Sequence, residues 1–190
     1  MNESKEKIIK AALFLFLHNS YADVSIRNIL INAGVSRGAF YHYFVSKEAC
    51  FEECVKYYIA MATQPEPSDY ADVSLKAFIE DNIRRMSRMT NMPSLPEKLL
   101  FLSEAVKIIP DFVGYMEQRN ANEITTWEKV IENAIDAGEI RDSIPADELA
   151  VLFIAQCDGI MIMRGMTMEH KDGCAEVEKQ WSNLYSLLKV

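Results

Sequence analysis

Residues 34–44, GVSRGAFYHYF, gather one arginine, one histidine and four aromatic rings in eleven positions of a 190-residue chain. These types suit recognition. Arg37 carries a planar fork of donors that matches a phosphate or the edge of a base. Tyr41, His42 and Tyr43 add O–H and N–H groups beside flat apolar faces. Gly38 leaves the backbone bare among them. Catalysis lacks comparable support. The three histidines, His18, His42 and His170, are far apart in sequence, and no G-x-S-x-G, H-E-x-x-H, phosphate-loop or dinucleotide pattern occurs. No enzymatic activity, cofactor or metal is therefore expected. Cys50 and Cys54 are four apart, unlike the C-x2-C spacing of zinc sites. Together with Cys157 and Cys174 they read as reduced, mostly buried thiols, with a redox or metal switch as the alternative.

The elements that carry these residues are helical. Ile8, Ile9, Ala12, Leu13, Phe16 and Leu17 recur at helical spacing after Ser4, a candidate cap. Ser25 stands directly before IRNILINA, where its hydroxyl can cap a short helix, and Gly34 ends it. Ser36 opens RGAFYHYF and Ser46 opens KEACFEECVKYYIAMA. Two short helices joined by a tight glycine turn make a helix-turn-helix. Phe40 and Phe44, four apart, point into its core. Further on, TQPEPSDY reads as a boundary. Amphipathic helices follow from 73, 95, 110 and 146, and a last one from Cys174. Seven glycines and six prolines agree with a helical chain with short connections. No apolar run is long enough to span a bilayer, and the charged start lacks a signal-peptide core, so a cytoplasmic protein is expected. Residues 1–48 hold six cationic against four acidic residues, +2, which leaves −10 for the rest of a chain of formal charge −8. A slightly basic head on an acidic body suits a polyanion-binding module.

Residues 8–58, and SIRNILINAGVSRGAFYHYFVSKEACF above all, resemble the N-terminal DNA-binding domain of TetR-type (tetracycline-repressor family) transcriptional regulators. The pattern is a Ser or Thr cap, a short helix, Ala-Gly-Val-Ser, a basic residue, Gly, a small and a hydrophobic residue, Tyr-x-x-Phe and Lys-Glu. Every element is present. The resemblance implies an all-α fold of about nine helices. A three-helix DNA-binding domain with a helix-turn-helix is expected over 1–48, and a larger effector-binding and dimerisation domain over 49–190. It also implies contacts to a double-stranded operator from Ser25, Arg27, Ser36, Arg37, Gly38, Ala39, Tyr41, His42, Tyr43 and Lys47. Lys47 would close the far side of a phosphate clamp. Asn28 departs from the acidic residue often found at its position.

A head with so few cations binds weakly alone, because phosphate neutralisation supplies much of the affinity. A homodimer is therefore expected, through Leu152, Gly159, Met163, Val177, Trp181, Leu184 and Leu188 of the last two helices. Met86, Met89, Phe101, Tyr115, Met116, Trp127, Asp158 and Met161 are candidates for lining an effector cavity. Arg84, Arg85 and Arg88 fall at least partly on the solvent face. The expected ligand is accordingly small and largely apolar, neutral or cationic, and releases a repressor from DNA. The alternative is a DNA-binding protein of the same fold that answers to a protein partner or organises DNA, with no small-molecule effector.

Overall fold

A computed structural model describes residues 3–61, 70, 72–88, 94–166 and 170–190. Among them stand nine helices and no strand: α1 (Glu3–His18), α2 (Ile26–Ala33), α3 (Arg37–Tyr43), α4 (Lys47–Met61), α5 (Leu75–Arg88), α6 (Leu95–Ile108), α7 (Phe112–Asp136), α8 (Ala146–Gly165) and α9 (His170–Leu188). One isolated antiparallel bridge joins Ile140 to Lys189. The expected all-α class holds. Ser4 lies inside α1 rather than capping it, and Pro110 sits in the turn before α7 rather than in its first helical turn. Most of the TQPEPSDY boundary falls outside the described residues.

Two compact units divide the chain, Met1–Thr63 with Leu95–Met116, and Gln64–Ser94 with Glu117–Val190. The head expected over 1–48 lies within the first unit, which also takes in α4 and α6. An aromatic seam explains why this unit extends beyond 1–48. Phe51 and Tyr58 of α4 each meet Phe101 of α6 edge-on at 5.4 Å, and Phe51 continues to Phe16 of α1 at 4.9 Å. Without α4 and α6 that seam would face water.

The second unit is built around Trp127 of α7. Its ring stacks on Phe153 of α8 at 4.9 Å and meets Phe78 of α5 and Trp181 of α9 edge-on at 4.7 and 5.1 Å. The Trp181 indole N–H donates to the Phe153 carbonyl at 2.9 Å, so its polar tip is satisfied inside the core. Gly138, in the left-handed region at φ 69, stops α7. Glu139 behind it accepts from the Leu75 and Lys76 N–H groups at 2.9 and 3.0 Å, placing a negative charge on the N-terminus of α5.

One expectation is corrected here. Val177, Trp181 and Leu188 are buried within their own chain, with Leu184 partly buried beside them. Periodicity marks the apolar face of a helix but not which chain covers it. The Trp127 cluster covers this one. The other half of the expectation fares differently. Leu149, Ala150 and Phe153 of α8 face inward, while Leu152, Ile162 and Met163 on the opposite side are 41%, 56% and 77% exposed.

Candidate nucleic-acid interface

The helix-turn-helix is held by caps. Ser25 Oγ accepts from the Asn28 N–H at 3.1 Å, and Asn28 Oδ1 accepts from the Ser25 N–H at 3.1 Å, a closed capping box at the start of α2. Gly34, at φ 65, ends α2, a backbone setting that an L side chain rarely takes. Its N–H and that of Val35 return to the Ile31 and Leu30 carbonyls. Ser36 Oγ then accepts from the Ala39 N–H at 3.1 Å to open α3.

Phe40 and Phe44 are buried, as expected, with ring centroids 5.4 Å apart. Their burial turns the rest of α3 outward. Arg37, Gly38, Tyr41 and His42 are exposed, and Ala39 and Tyr43 partly so. The Arg37 guanidinium lies 5.5 Å from the centre of the Tyr41 ring, and the His42 and Tyr43 rings meet edge-on at 4.7 Å. Ser25, Arg27 and Ser36 are also exposed. The ten candidates thus gather on the helix-turn-helix and the start of α4. Lys47 is turned partly inward by its hydrogen bonds. Its ammonium donates to the Tyr21 and Val24 carbonyls at 2.8 and 3.0 Å and sits 3.9 Å from the centre of the Tyr21 ring. Two of its three N–H bonds are thereby used inside the protein.

The effector candidates are divided between the two units. Phe101 is fully buried in the first unit, in the seam with Phe51 and Tyr58, and Tyr115 and Met116 belong to that unit too. Trp127 is equally buried in the second unit, where its neighbours fill the space around the ring. Asp158 is exposed to solvent. Met86 and Met161 are half-buried at the edge of the Trp127 cluster, with Met86 Sδ 3.7 Å from Cys157 Sγ. Met89 lies outside the described residues. A groove of about 520 Å³ between α5 and α9 is lined by none of the eight. Its walls are Lys76, Glu80, Arg84, Ser182, Tyr185 and Lys189 over an Ile79 and Ile83 floor. Arg84 and Arg88 are exposed, as expected of a solvent face, while Arg85 is half-buried and 3.5 Å from Asp81.

Cys50, Cys54 and Cys174 are buried. Burial pushes the Cys54 and Cys174 thiols up, which keeps them protonated and weakly nucleophilic. Among the described residues no group of three or more His, Cys, Asp or Glu could hold a metal ion, and no helix is long and apolar enough to cross a membrane.

The roles of two residues are not evident from the sequence. Asn28 had a signal, its place three after Ser25 in a capping-box spacing. Glu104 had none. It reaches the Tyr21 N–H from 83 residues away.

A short capped helix pair that buries its aromatic anchors and exposes a basic, aromatic helix defines a helix-turn-helix regulator head. The family model for bacterial regulatory proteins of the tetR family matches residues 8–54. The chain is 45% identical over 62 residues to the HTH-type transcriptional regulator YerO of Bacillus subtilis. That match covers 33% of this chain and 22% of YerO, so the likeness is confined to the head. A weaker likeness runs further, 21% identity over 158 residues with the HTH-type transcriptional repressor KstR2 of Mycobacterium tuberculosis, 77% of this chain and 74% of that one. In fold, the chain resembles the reduced form of E. coli NemR with a TM-score of 0.69 at 16% identity, covering 95% of this chain and 97% of that one. Residues 8–54 therefore carry a helix-turn-helix domain of the tetR family of bacterial regulatory proteins, on a chain whose fold resembles that of solved transcriptional regulators.

Proposed function

We propose that the protein is a dimeric transcriptional repressor that reads a two-fold operator through α3 and leaves it when a small, largely apolar ligand binds. Gly38 carries this reading. A Cβ built there would meet only Ser36 Oγ, at 3.8 Å, an ordinary contact. Alanine would fit and would favour the helix by about 1 kcal/mol. Nothing inside the fold calls for glycine, so the demand comes from a surface against which α3 lies closely, as a helix does in the major groove. Arg37 reads a base edge or a phosphate. Tyr41, His42 and Tyr43 contact phosphates and thymine methyls, Ser25, Arg27 and Ser36 flank them, and Ala39 packs beside the groove wall. The exposed apolar side of α8 meets a second copy, which supplies the second head. The ligand enters the edge of the Trp127 cluster, where the half-buried Met86 and Met161 thioethers can move aside. Such a protein works in the cytoplasm.

The test selects duplexes from a random-sequence library with the purified protein and measures their affinity by fluorescence anisotropy. The expected result is a pseudo-palindromic site with half-sites one helical turn or a multiple apart. Enrichment of no sequence would overturn the operator reading. A thermal-shift screen with apolar neutral and cationic compounds tests the ligand class, since a ligand of the folded state raises Tm. Hits confined to polyanions would overturn that class and turn attention to Arg84, Arg85 and Arg88.

A further inference from the structure

Tyr21 stands at the corner between α1 and α2 and is gripped from two sides. The Glu104 carboxylate of α6 accepts its N–H with both oxygens, at 2.9 and 2.8 Å. Lys47 of α4 donates to its carbonyl at 2.8 Å and to that of Val24 at 3.0 Å. The ring between them stacks on Phe16 at 5.7 Å and meets Phe51 edge-on at 4.9 Å. Ser25, the cap of α2, follows directly on Val24. The backbone from which the helix-turn-helix starts is thus set by a carboxylate of α6 and an ammonium of α4, both through charge-assisted hydrogen bonds, roughly twice as strong as neutral ones. α6 packs on α1 and α4 inside the same unit. A displacement of α6 would therefore pull on the Tyr21 peptide instead of sliding past it.

We propose that Glu104 is a positioning residue for operator binding: it holds the α1–α2 corner, and through it α2 and α3, at the setting that fits DNA. The inference rests on the DNA-binding reading above. Glu104 itself touches no DNA. Its loss should therefore change affinity without changing the number of phosphates neutralised.

The experiment compares Glu104→Leu, Glu104→Gln and Glu104→Asp with the wild type. It uses a fluorescein-labelled duplex selected by the wild-type protein, and it follows Tyr21 amide exchange by NMR on the free protein. Glu104→Leu removes the acceptor and should weaken binding about tenfold, the equivalent of about one charge-assisted hydrogen bond. Its Tyr21 amide should exchange faster, and the slope of log affinity against log salt should stay unchanged. Glu104→Gln keeps an acceptor oxygen and should bind within about twofold of the wild type. If Glu104→Leu fails to fold, Glu104→Asp, one methylene shorter, should show the loss in part with a Tm near the wild-type value. Wild-type affinity in a variant whose Tyr21 amide has become labile overturns the proposal, and so does an equal loss in the Gln and Leu variants. A wild-type chain that selects no duplex overturns the DNA-binding reading and this proposal with it, a result distinct from normal binding by Glu104→Leu.

Discussion

Arg37 and Tyr41 are one helical turn apart on α3, close enough for the guanidinium to sit over the ring. At an exposed site such a pair contributes about 0.5–1 kcal/mol. Its larger effect is to hold the Arg37 fork in one place before DNA arrives. Tyr41→Ala should weaken binding by a similar factor on every operator sequence, because it would remove the proposed phosphate contact along with the rest for Arg37. Arg37→Ala should also relax sequence preference, with a penalty of about 1–3 kcal/mol at the base it reads. The double variant should lose less than the sum of the two, since they share a contact. Strict additivity in anisotropy titrations would separate their roles. Gly38→Ala should leave Tm unchanged or raise it and still weaken binding, a pairing that ordinary destabilisation cannot produce. Lys47 calls for a salt titration. With two donors committed to the Tyr21 and Val24 carbonyls, Lys47→Ala should lower Tm and affinity while leaving the salt slope nearly unchanged. A slope smaller by about 1 would place its third donor on a phosphate.

At the scale of the element, what the sequence makes legible is what the chain decides locally. Ser25, Gly34 and Ser36 announce the ends of α2 and α3 because a cap is a contact between residues a few positions apart. Phe40 and Phe44 were legible as anchors for a similar reason, their four-residue spacing fixing one face. Ser25→Ala should thus cost about 1 kcal/mol of stability, with Asn28→Ala opening the same box from its other side, both measured as a fall in Tm. Contacts across long sequence separations were not legible. Glu104 on the Tyr21 amide and Glu139 on the N-terminus of α5 each use a backbone N–H, which every residue but proline offers. The effector candidates turn on a related distinction. The type and helix position of Phe101 and Trp127 fit a cavity wall and a filled core alike, and both side chains are buried. Only the rings that arrive from other helices distinguish the two.

For the whole molecule, the deciding element is α8. A helix apolar on two opposite sides needs two partners. Its inner side has one in the Trp127 cluster. On its outer side Val151, Leu152, Gly159, Ile162 and Met163 share one face, which Met166 continues at the C-cap. Gly159 repeats the argument of Gly38, since a Cβ there would meet nothing within 4 Å. The glycine weakens α8 by about 1 kcal/mol relative to alanine without serving its own chain. A second copy of α8 crossing at that point would need the bare backbone. The proposed self-association would also answer the weakness of a head that carries a charge of only +2 over 1–48, because two heads on one operator would double the phosphates neutralised. The burial pattern then separates two kinds of variant. Trp181→Glu places a charge in a filled core and should unfold the chain. Leu152→Lys and Met163→Glu alter exposed positions and should leave helical content and Tm of the isolated fold nearly intact while giving monomers in sedimentation equilibrium. Those monomers should bind a single half-site with a salt slope about half that of the wild type. A wild-type monomer at micromolar concentration, or dimers that survive both surface substitutions, would remove α8 from the interface.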